Sequence, residues 1–325
     1  MSVRYQIRTT HTPVPFVYPA RFRLGEGDEY VKYGHAAWDE ERRGGDPHWT
    51  AQIISQTWYQ AETGRIPISG AGYGGPFAGP GFDAIWLDMS EIVRPTRDGI
   101  HGREYISTAV EIGRRLPHLE FTPDGRLVTL PPPSLSIPLP VLFAPIPIPT
   151  PGRSVLLAVA RAAATLGTYA LVSPADWDSD LEPYAGRLAP LLGPDEDIAG
   201  GRLAEAHLMV LNCQTAEQAL PAWERTRRLH PRAVVAVQLP LGPRSPAQVV
   251  ELARQGVGAV HLCADDLAIE AAGERPLTEA IRAVHEALVQ AGRRDLVSLL
   301  VSGGIAAAER VPKAIVCGAD AVAAD

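Results

Sequence analysis

The stretch that decides the fold is residues 277–325, which read LTEAIRAVHEALVQAGRRDLVSLLVSGGIAAAERVPKAIVCGADAVAAD. Apolar residues recur at helical spacing over residues 277–291 and predict an amphipathic helix. The apolar run over residues 297–301 predicts a buried strand, and a short helix then leads to a last strand over residues 320–324. Strands that alternate with helices in this way indicate a parallel sheet with crossover helices.

The same alternation extends upstream to a boundary near residue 131. Seven strands are clear, and residues 188–192 are a weak candidate for an eighth. Eight strands would close a barrel, whereas six or seven would fit an open doubly wound sheet. No G-x-G-x-x-G follows an early strand, which weakens the open-sheet alternative. We therefore predict an α/β fold, a (β/α)8 TIM barrel, whose further strands cover residues 140–148, 168–172, 207–212, 234–239 and 259–263.

The first part of the chain differs from the rest. Residues 1–130 are rich in glycine, proline, tryptophan and charge, with one helix predicted over residues 50–62. We interpret them as an irregular segment packed on the barrel of residues 131–325. The printed sequence stops where the last strand ends, so we expect either a truncated chain that lacks its last helix or a partner that covers the exposed face.

Composition and charge exclude several classes of function. The formal net charge is −7 and basic residues are not clustered, which argues against nucleic acid as a partner. The longest apolar stretch, residues 134–149, contains five prolines and cannot be a spanning helix. With a polar N-terminus that lacks a signal-peptide core, the chain is expected to be cytoplasmic, with no membrane partner.

Cysteine usage predicts no metal centre. Cys213, Cys263 and Cys317 lie far apart and form no C-x-x-C pair, so the chain offers no ligand set for an iron–sulfur cluster. We expect three thiols in a reducing compartment and no metal site.

One loop has the composition of an anion site. The penultimate strand runs into Ser302-Gly303-Gly304-Ile305. Two glycines let backbone N–H groups approach an anion, and barrels commonly hold phosphate in the loops after their last two strands. A tight strand-to-helix turn without any ligand is the alternative.

These residues carry a family resemblance. Residues 277–325, including Lys313-Ala314-Ile315 and Gly318-Ala319-Asp320-Ala321-Val322, are similar to the end of the FMN-binding domain of the glutamate synthase large chain. The run Trp58-Tyr59-Gln60-Ala61-Glu62-Thr63-Gly64 resembles the segment that precedes the barrel in archaeal-type members, and residues 139–148 resemble their first barrel strand.

The resemblance implies an FMN-dependent oxidoreductase that reductively aminates 2-oxoglutarate to glutamate through 2-iminoglutarate. It places the flavin phosphate at Ser302, Gly303 and Gly304, and the flavin ring against Ala144 and Gln238. It further implies ammonia, free or derived from glutamine, as a substrate, and an electron-donor or glutaminase subunit as a partner. No residue matches a catalytic acid or base.

The chain departs from the family at positions near the ring. Residues 172–177 replace an Asn-Thr-Gly-Glu-Gly-Gly loop, residues 264–267 replace a Gly-Gly-Thr-Gly-Ala run, and Gln238 stands where the family has a lysine. Glutamine can hydrogen-bond a ring carbonyl but supplies no charge. Two alternatives therefore stay open: a flavin-free barrel that serves as a binding or scaffold subunit, and a flavin barrel that acts on another substrate.

Several further polar residues have both a functional and a structural interpretation. His261, in mid-strand, fits a core or rim histidine better than a catalytic one, and His285 is expected on a helix surface. Aspartates that follow strand ends could bind a metal or an ammonium group, but capping is the simpler account. They are Asp176, Asp178, Asp265 and Asp266; His101, in a charged loop, is expected to be solvated.

Overall fold

The computed structural model describes residues 4–8, 13–17, 81–85, 108–116, 118–145, 152–198, 201–265, 268–271, 273–305, 308 and 310–324. The predicted helix over residues 50–62 and His101 lie outside these residues. The chain divides into two compact units, Met1–Gly75 and Pro76–Asp325. In the first unit, an antiparallel pair is described, β1 (Arg4–Arg8) with β2 (Pro13–Val17).

The second unit is built on a closed barrel of eight parallel strands, as predicted. The weak candidate over residues 188–192 is one of the eight. Val322 of the last strand pairs with Val141 of the first, which closes the barrel. A separate antiparallel pair precedes it, β3 (Val110–Gly113) with β4 (Ser134–Ile137). The barrel strands are β5 (Val141–Phe143), β6 (Ala170–Val172), β7 (Leu188–Leu192), β8 (Leu208–Asn212), β9 (Val234–Pro240), β10 (Ala259–Cys263), β11 (Ser298–Ser302) and β12 (Ala321–Ala324).

The crossovers are of two kinds. Five of them contain an α-helix, namely α1 (Arg153–Leu166), α2 (Ala216–Leu229), α3 (Ser245–Arg254), α4 (Leu277–Gln290) and α5 (Arg310–Val316). In the described residues between β6 and β7 and between β7 and β8, the helices are of the 3₁₀ type instead: Pro174–Asp176, Glu182–Arg187 and Gly201–Glu205. Among the residues described, no helix is long and apolar enough to cross a membrane.

Local signals set two of the helix ends. Thr215 accepts a hydrogen bond from the Gln218 amide at 3.3 Å, the capping arrangement that the T-x-x-Q spacing predicts. Gly167 ends α1 with φ +71°, a left-handed conformation that favours glycine. Ser154 would be a favourable N-cap residue, but α1 already begins at Arg153 and its N-cap is Gly152, which has no side chain to cap with.

The β3–β4 pair closes the N-terminal end of the barrel. Ile112 and Ile137 are fully buried and belong to the same apolar cluster as the inward residues of the strands. The Gly113 amide donates to Ser298 Oγ at 3.1 Å, at the first residue of β11. Gly258, just before β10, has no room for a side chain, because a Cβ there would lie 2.4 Å from the Arg114 backbone. Among the described residues, this packing fills the N-terminal end of the barrel and leaves the C-terminal ends of the strands as the place where a ligand can bind.

Arg294 ties the start of β11 to the start of β12. Its guanidinium donates to the Val297 and Gly318 carbonyls at 2.9 and 2.8 Å and to His285 Nδ1 at 3.0 Å. It also pairs with Asp320 at 3.0 Å, and this carboxylate accepts the Leu299 amide at 2.7 Å. The His285 side chain is half-buried and hydrogen-bonded to Arg294, which corrects the surface position that was expected.

Replacing Arg294 should destabilise the barrel. We expect Arg294→Ala to lower the free energy of unfolding by about 2–3 kcal/mol, because several buried acceptors lose a charged donor at once. Urea unfolding followed by circular dichroism measures this. The matched control is Arg282→Ala, whose exposed i,i+4 pair with Glu286 should contribute no more than about 0.5 kcal/mol. Equal losses in the two variants would contradict the role of Arg294.

Candidate functional site

The C-terminal mouth of the barrel has one polar side. Along a strand, alternate residues face the same way, and the buried cluster inside the barrel contains Val210, Val234, Ala236, Ala259 and Leu300. Positions two residues further along therefore face inward at the mouth. They form what we call the polar wall, on the four neighbouring strands β8 to β11: Asn212, Gln238, His261, Cys263 and Ser302.

The opposite side of the mouth is apolar. The interior cluster includes Ala144, which directly follows β5, Leu171 of β6 and Ala323 of β12, and Leu191 of β7 packs against it. Ala144 is buried, and its amide donates to the Ala324 carbonyl at 2.8 Å. Because β5 and β9 stand on opposite sides of the ring of strands, Ala144 faces Gln238 across the lumen. The mouth thus has apolar side chains on one side and hydrogen-bonding groups on the other.

Gln238 has an unsatisfied acceptor. Its Oε1 is buried, and no described residue donates a hydrogen bond to it. The residue pairs in register with Asn212 on one side and His261 on the other. A buried acceptor without a donor costs about 1–3 kcal/mol, so a ligand that brings an N–H group to this place would be favoured.

His261 is joined to the two residues beside it. Its Nε2 lies 2.9 Å from Ser302 Oγ and 3.8 Å from Cys263 Sγ. Ser302 Oγ in turn donates to Cys263 Sγ at 3.2 Å. The sequence did not single out this cluster. The alternation along β10 could have revealed it, because Cys263 is paired in register with Ser302.

Burial keeps the His261 imidazole neutral. Loss of solvation lowers its pKa from 6.5 to about 4. As the pH falls, the unfolded chain therefore takes up a proton before the folded one does. The contribution of His261 to stability is complete above pH 6.5 and is lost as the pH falls from 6.5 towards 4.

This shift predicts a specific acid sensitivity. Between pH 7 and pH 5, the wild type should lose about 2 kcal/mol more unfolding free energy than His261→Gln, which cannot titrate. Urea unfolding at the two pH values measures the difference. The control, His118→Gln, replaces an exposed histidine and should keep the wild-type loss. An equal pH response of wild type and His261→Gln would show that His261 is not buried as described.

The glycines of the predicted phosphate loop are required by packing. Gly303 and Gly304 have φ of +100° and +66°. A Cβ on Gly303 would lie 2.5 Å from the Ala264 carbonyl oxygen, and one on Gly304 would lie 2.6 Å from the Ala268 nitrogen. The loop after β11 is therefore held against the loop after β10. The described part of the following helix begins at Arg310, whose guanidinium donates to the Gly304 carbonyl.

Other predicted residues have structural roles. Asp265 Oδ1 accepts the Ile269 amide at 2.8 Å and caps a turn, and Asp178 Oδ1 accepts the Asp180 amide at 2.9 Å. These are turn contacts, and neither aspartate is the N-cap of the helix that follows it, which is Leu181 in one case and Pro276 in the other. The capping interpretation is therefore not confirmed for them. Asp176 is the last residue of a short 3₁₀ helix, and Asp266 lies outside the described residues. Cys213 is buried on the outer side of the barrel, and burial raises the pKa of its thiol to about 11.

Metal-binding groups do not gather in the described part of the chain. Within it, no three residues among histidine, cysteine, aspartate and glutamate are placed to hold a metal ion together. The chemistry that the polar wall offers is hydrogen bonding, by two amides, an imidazole, a hydroxyl and a thiol.

Comparison with known proteins gives one family. Residues 249–324 match the model of the conserved region in glutamate synthase. The archaeal-type glutamate synthases [NADPH] of Thermotoga neapolitana and Thermotoga maritima are each 26% identical over 333 residues, which cover 85% of this chain and 64% of the relative. The chain thus spans less than two thirds of the length of these curated relatives.

Solved structures with a similar course of chain include mutants of flavocytochrome b2. One with benzoylformate has 14% identity and a TM-score of 0.45, covering 66% of this chain and 60% of that one. A double mutant with pyruvate bound has 16% identity and a TM-score of 0.44, covering 58% and 57%.

Proposed function

We propose that this chain, a divergent relative of the glutamate synthases, is the FMN-binding barrel of an oxidoreductase. Its proposed reaction is the reductive amination of 2-oxoglutarate to glutamate through 2-iminoglutarate. The matched region, residues 249–324, runs from α3 to β12 and includes the Ser302–Gly304 loop.

The observation that carries the proposal is the buried, unsatisfied Oε1 of Gln238. The amide of glutamine offers both a donor and an acceptor. The edge of an isoalloxazine ring also has both, since carbonyl groups flank an N–H. A flat ring lying between the apolar Ala144 and Gln238 would satisfy this acceptor, so the residues present fit the cofactor.

Different residues of the chain would bind the phosphate and the ring of FMN. Ser302 and the loop of Gly303 and Gly304 would hold the phosphate, while Ala144 and the apolar side of the mouth would exclude water from the ring. When bound, FMN would supply the electrons that reduce the imine. Gln238 would orient the ring without adding charge, unlike a lysine.

Substrates and partners follow from the same reaction. It takes 2-oxoglutarate and ammonia, and the electrons must come from a donor. We propose an electron-donor or glutaminase subunit as the partner that supplies the electrons or the ammonia.

One specific observation favours a flavin-free barrel as the second candidate. The packing of Gly303 and Gly304 against Ala264 and Ala268 accounts for both glycines without any phosphate. Such a chain would serve as a binding or scaffold subunit.

Flavin binding separates the two candidates. We expect the purified chain to take up FMN, with quenching of flavin fluorescence, and Gln238→Leu to weaken binding about tenfold through loss of ring hydrogen bonds. The control Gln255→Leu removes an exposed glutamine at the end of α3 and should leave binding unchanged. A colourless wild type that takes up no added FMN would establish the scaffold alternative.

A charge at position 238 should change the redox potential. We expect Gln238→Lys to raise the two-electron midpoint potential of bound flavin, because a cation favours the reduced, anionic form. A stabilisation of about 1.4 kcal/mol corresponds to about 30 mV. Spectroelectrochemical titration measures the shift; no shift, or a lower potential, would place the ring away from Gln238.

The reaction itself is tested with the flavin-loaded protein. Reduced enzyme mixed with 2-oxoglutarate and ammonia should reoxidise and form glutamate. If only other substrates reoxidise the enzyme, the flavin-binding proposal stands and the reductive amination of 2-oxoglutarate is wrong.

A further inference from the structure

The polar wall contains a hydrogen-bonded chain of three residues, of which the proposed function uses only Ser302. His261 is 2% exposed and Ser302 is 6% exposed, and both face the interior from neighbouring strands. The order of the chain is His261 Nε2, Ser302 Oγ and Cys263 Sγ, with steps of 2.9 and 3.2 Å. All three groups lie at the end of the barrel that carries the Ser302–Gly304 loop.

The directions of these hydrogen bonds follow from their partners. We assign the arrangement in which the Ser302 hydroxyl donates its single proton to Cys263 Sγ. In this arrangement the Ser302 oxygen accepts from His261, and the neutral imidazole carries its proton on Nε2. A hydroxyl whose oxygen accepts such a bond is polarised and becomes a better donor.

The acceptor at the end of the chain is weak. A thiol sulfur accepts hydrogen bonds poorly, whereas an anionic oxygen forms short and strong bonds with hydroxyl groups. An anion that reaches the loop would therefore draw the Ser302 hydroxyl away from Cys263 by a rotation about one bond. The bond from His261 would hold the oxygen in place during this change.

The backbone keeps the parts together. Gly303 and Gly304 fit against the backbone of Ala264 and Ala268 with no room for a side chain. The loop that follows Ser302 is thus fixed to the loop that follows Cys263, and His261 lies on that same strand, β10.

We propose that His261 is a positioning residue that holds and polarises the Ser302 hydroxyl to donate to a phosphoryl oxygen, with Cys263 as its acceptor when no anion is bound. This inference rests on the proposed function, in which the phosphate is that of FMN. A histidine that only completes the core would stabilise the fold without any preference for a phosphorylated ligand.

The test compares FMN with riboflavin, which has the same ring and no phosphate. Dissociation constants of both are measured by fluorescence quenching for the wild type and the variants, and circular dichroism confirms folding. Ser302→Ala should reduce the preference for FMN over riboflavin about tenfold, and His261→Phe about threefold to tenfold. His261→Gln, which keeps a donor, should restore part of it, and Cys263→Ala should retain it.

The control variant lies on the same strand. Ser298→Ala removes a buried hydroxyl at the opposite end of β11, bonded to the Gly113 amide, and should leave the preference unchanged. In a Ser302→Ala background, His261→Phe should have no further effect on the preference, since His261 acts through that hydroxyl.

Each outcome decides a different statement. A wild type that binds neither flavin overturns the proposed function and this inference together. Two outcomes overturn the inference alone. In the first, His261→Phe keeps the preference for FMN over riboflavin. In the second, His261→Phe and His261→Gln each weaken the binding of FMN and of riboflavin by the same factor. If His261→Phe does not fold, the contrast between His261→Gln and Ser302→Ala decides: equal losses of preference would overturn the positioning role.

Discussion

The pairing of β12 with β5 is the constraint on which the rest of the barrel depends. Val322 pairs with Val141, Ala324 pairs with Phe143, and the Ala144 amide bonds to the Ala324 carbonyl. Without this closure the parallel sheet would have two open edges, whose backbone groups would need other partners. With this closure, residues that are far apart in the chain face the same lumen. The β3–β4 pair then covers the N-terminal end of the barrel.

The stretch that most resembles the glutamate synthases works mainly as scaffold. Lys313 is buried and its Nζ donates to the Phe82 carbonyl at 2.9 Å. Gly318 has φ +120° and lies against His285, and Asp320 binds Arg294 and the Leu299 amide. These contacts lie outside the lumen or at its closed end. Similarity there supports the fold and the family, and does not by itself carry over the chemistry of the mouth.

The residues at the mouth of the barrel differ most from those of the glutamate synthase family. Its polar wall offers neutral groups, and the one ionisable imidazole is kept uncharged by burial, which lowers its pKa. If the proposed flavin is bound, this site would orient the ring and hold the phosphate through hydroxyl and backbone groups. It would stabilise a reduced anionic ring less than a lysine does, because it supplies no charge.

The sequence by itself determined the order of strands and helices, the Thr215 cap, the Gly167 stop and the parallel course of the sheet, because these depend on local spacing and backbone preference. The family resemblance implied flavin contacts for Ala144, Gln238 and Ser302, and these contacts stay a prediction. Only the tertiary structure decided that Ser302 bonds His261 and Cys263, because barrel closure and strand register join positions some forty residues apart. The sequence left the eighth strand, residues 188–192, uncertain, because the strand is short and is flanked by 3₁₀ helices. The closed ring of eight strands decides the number.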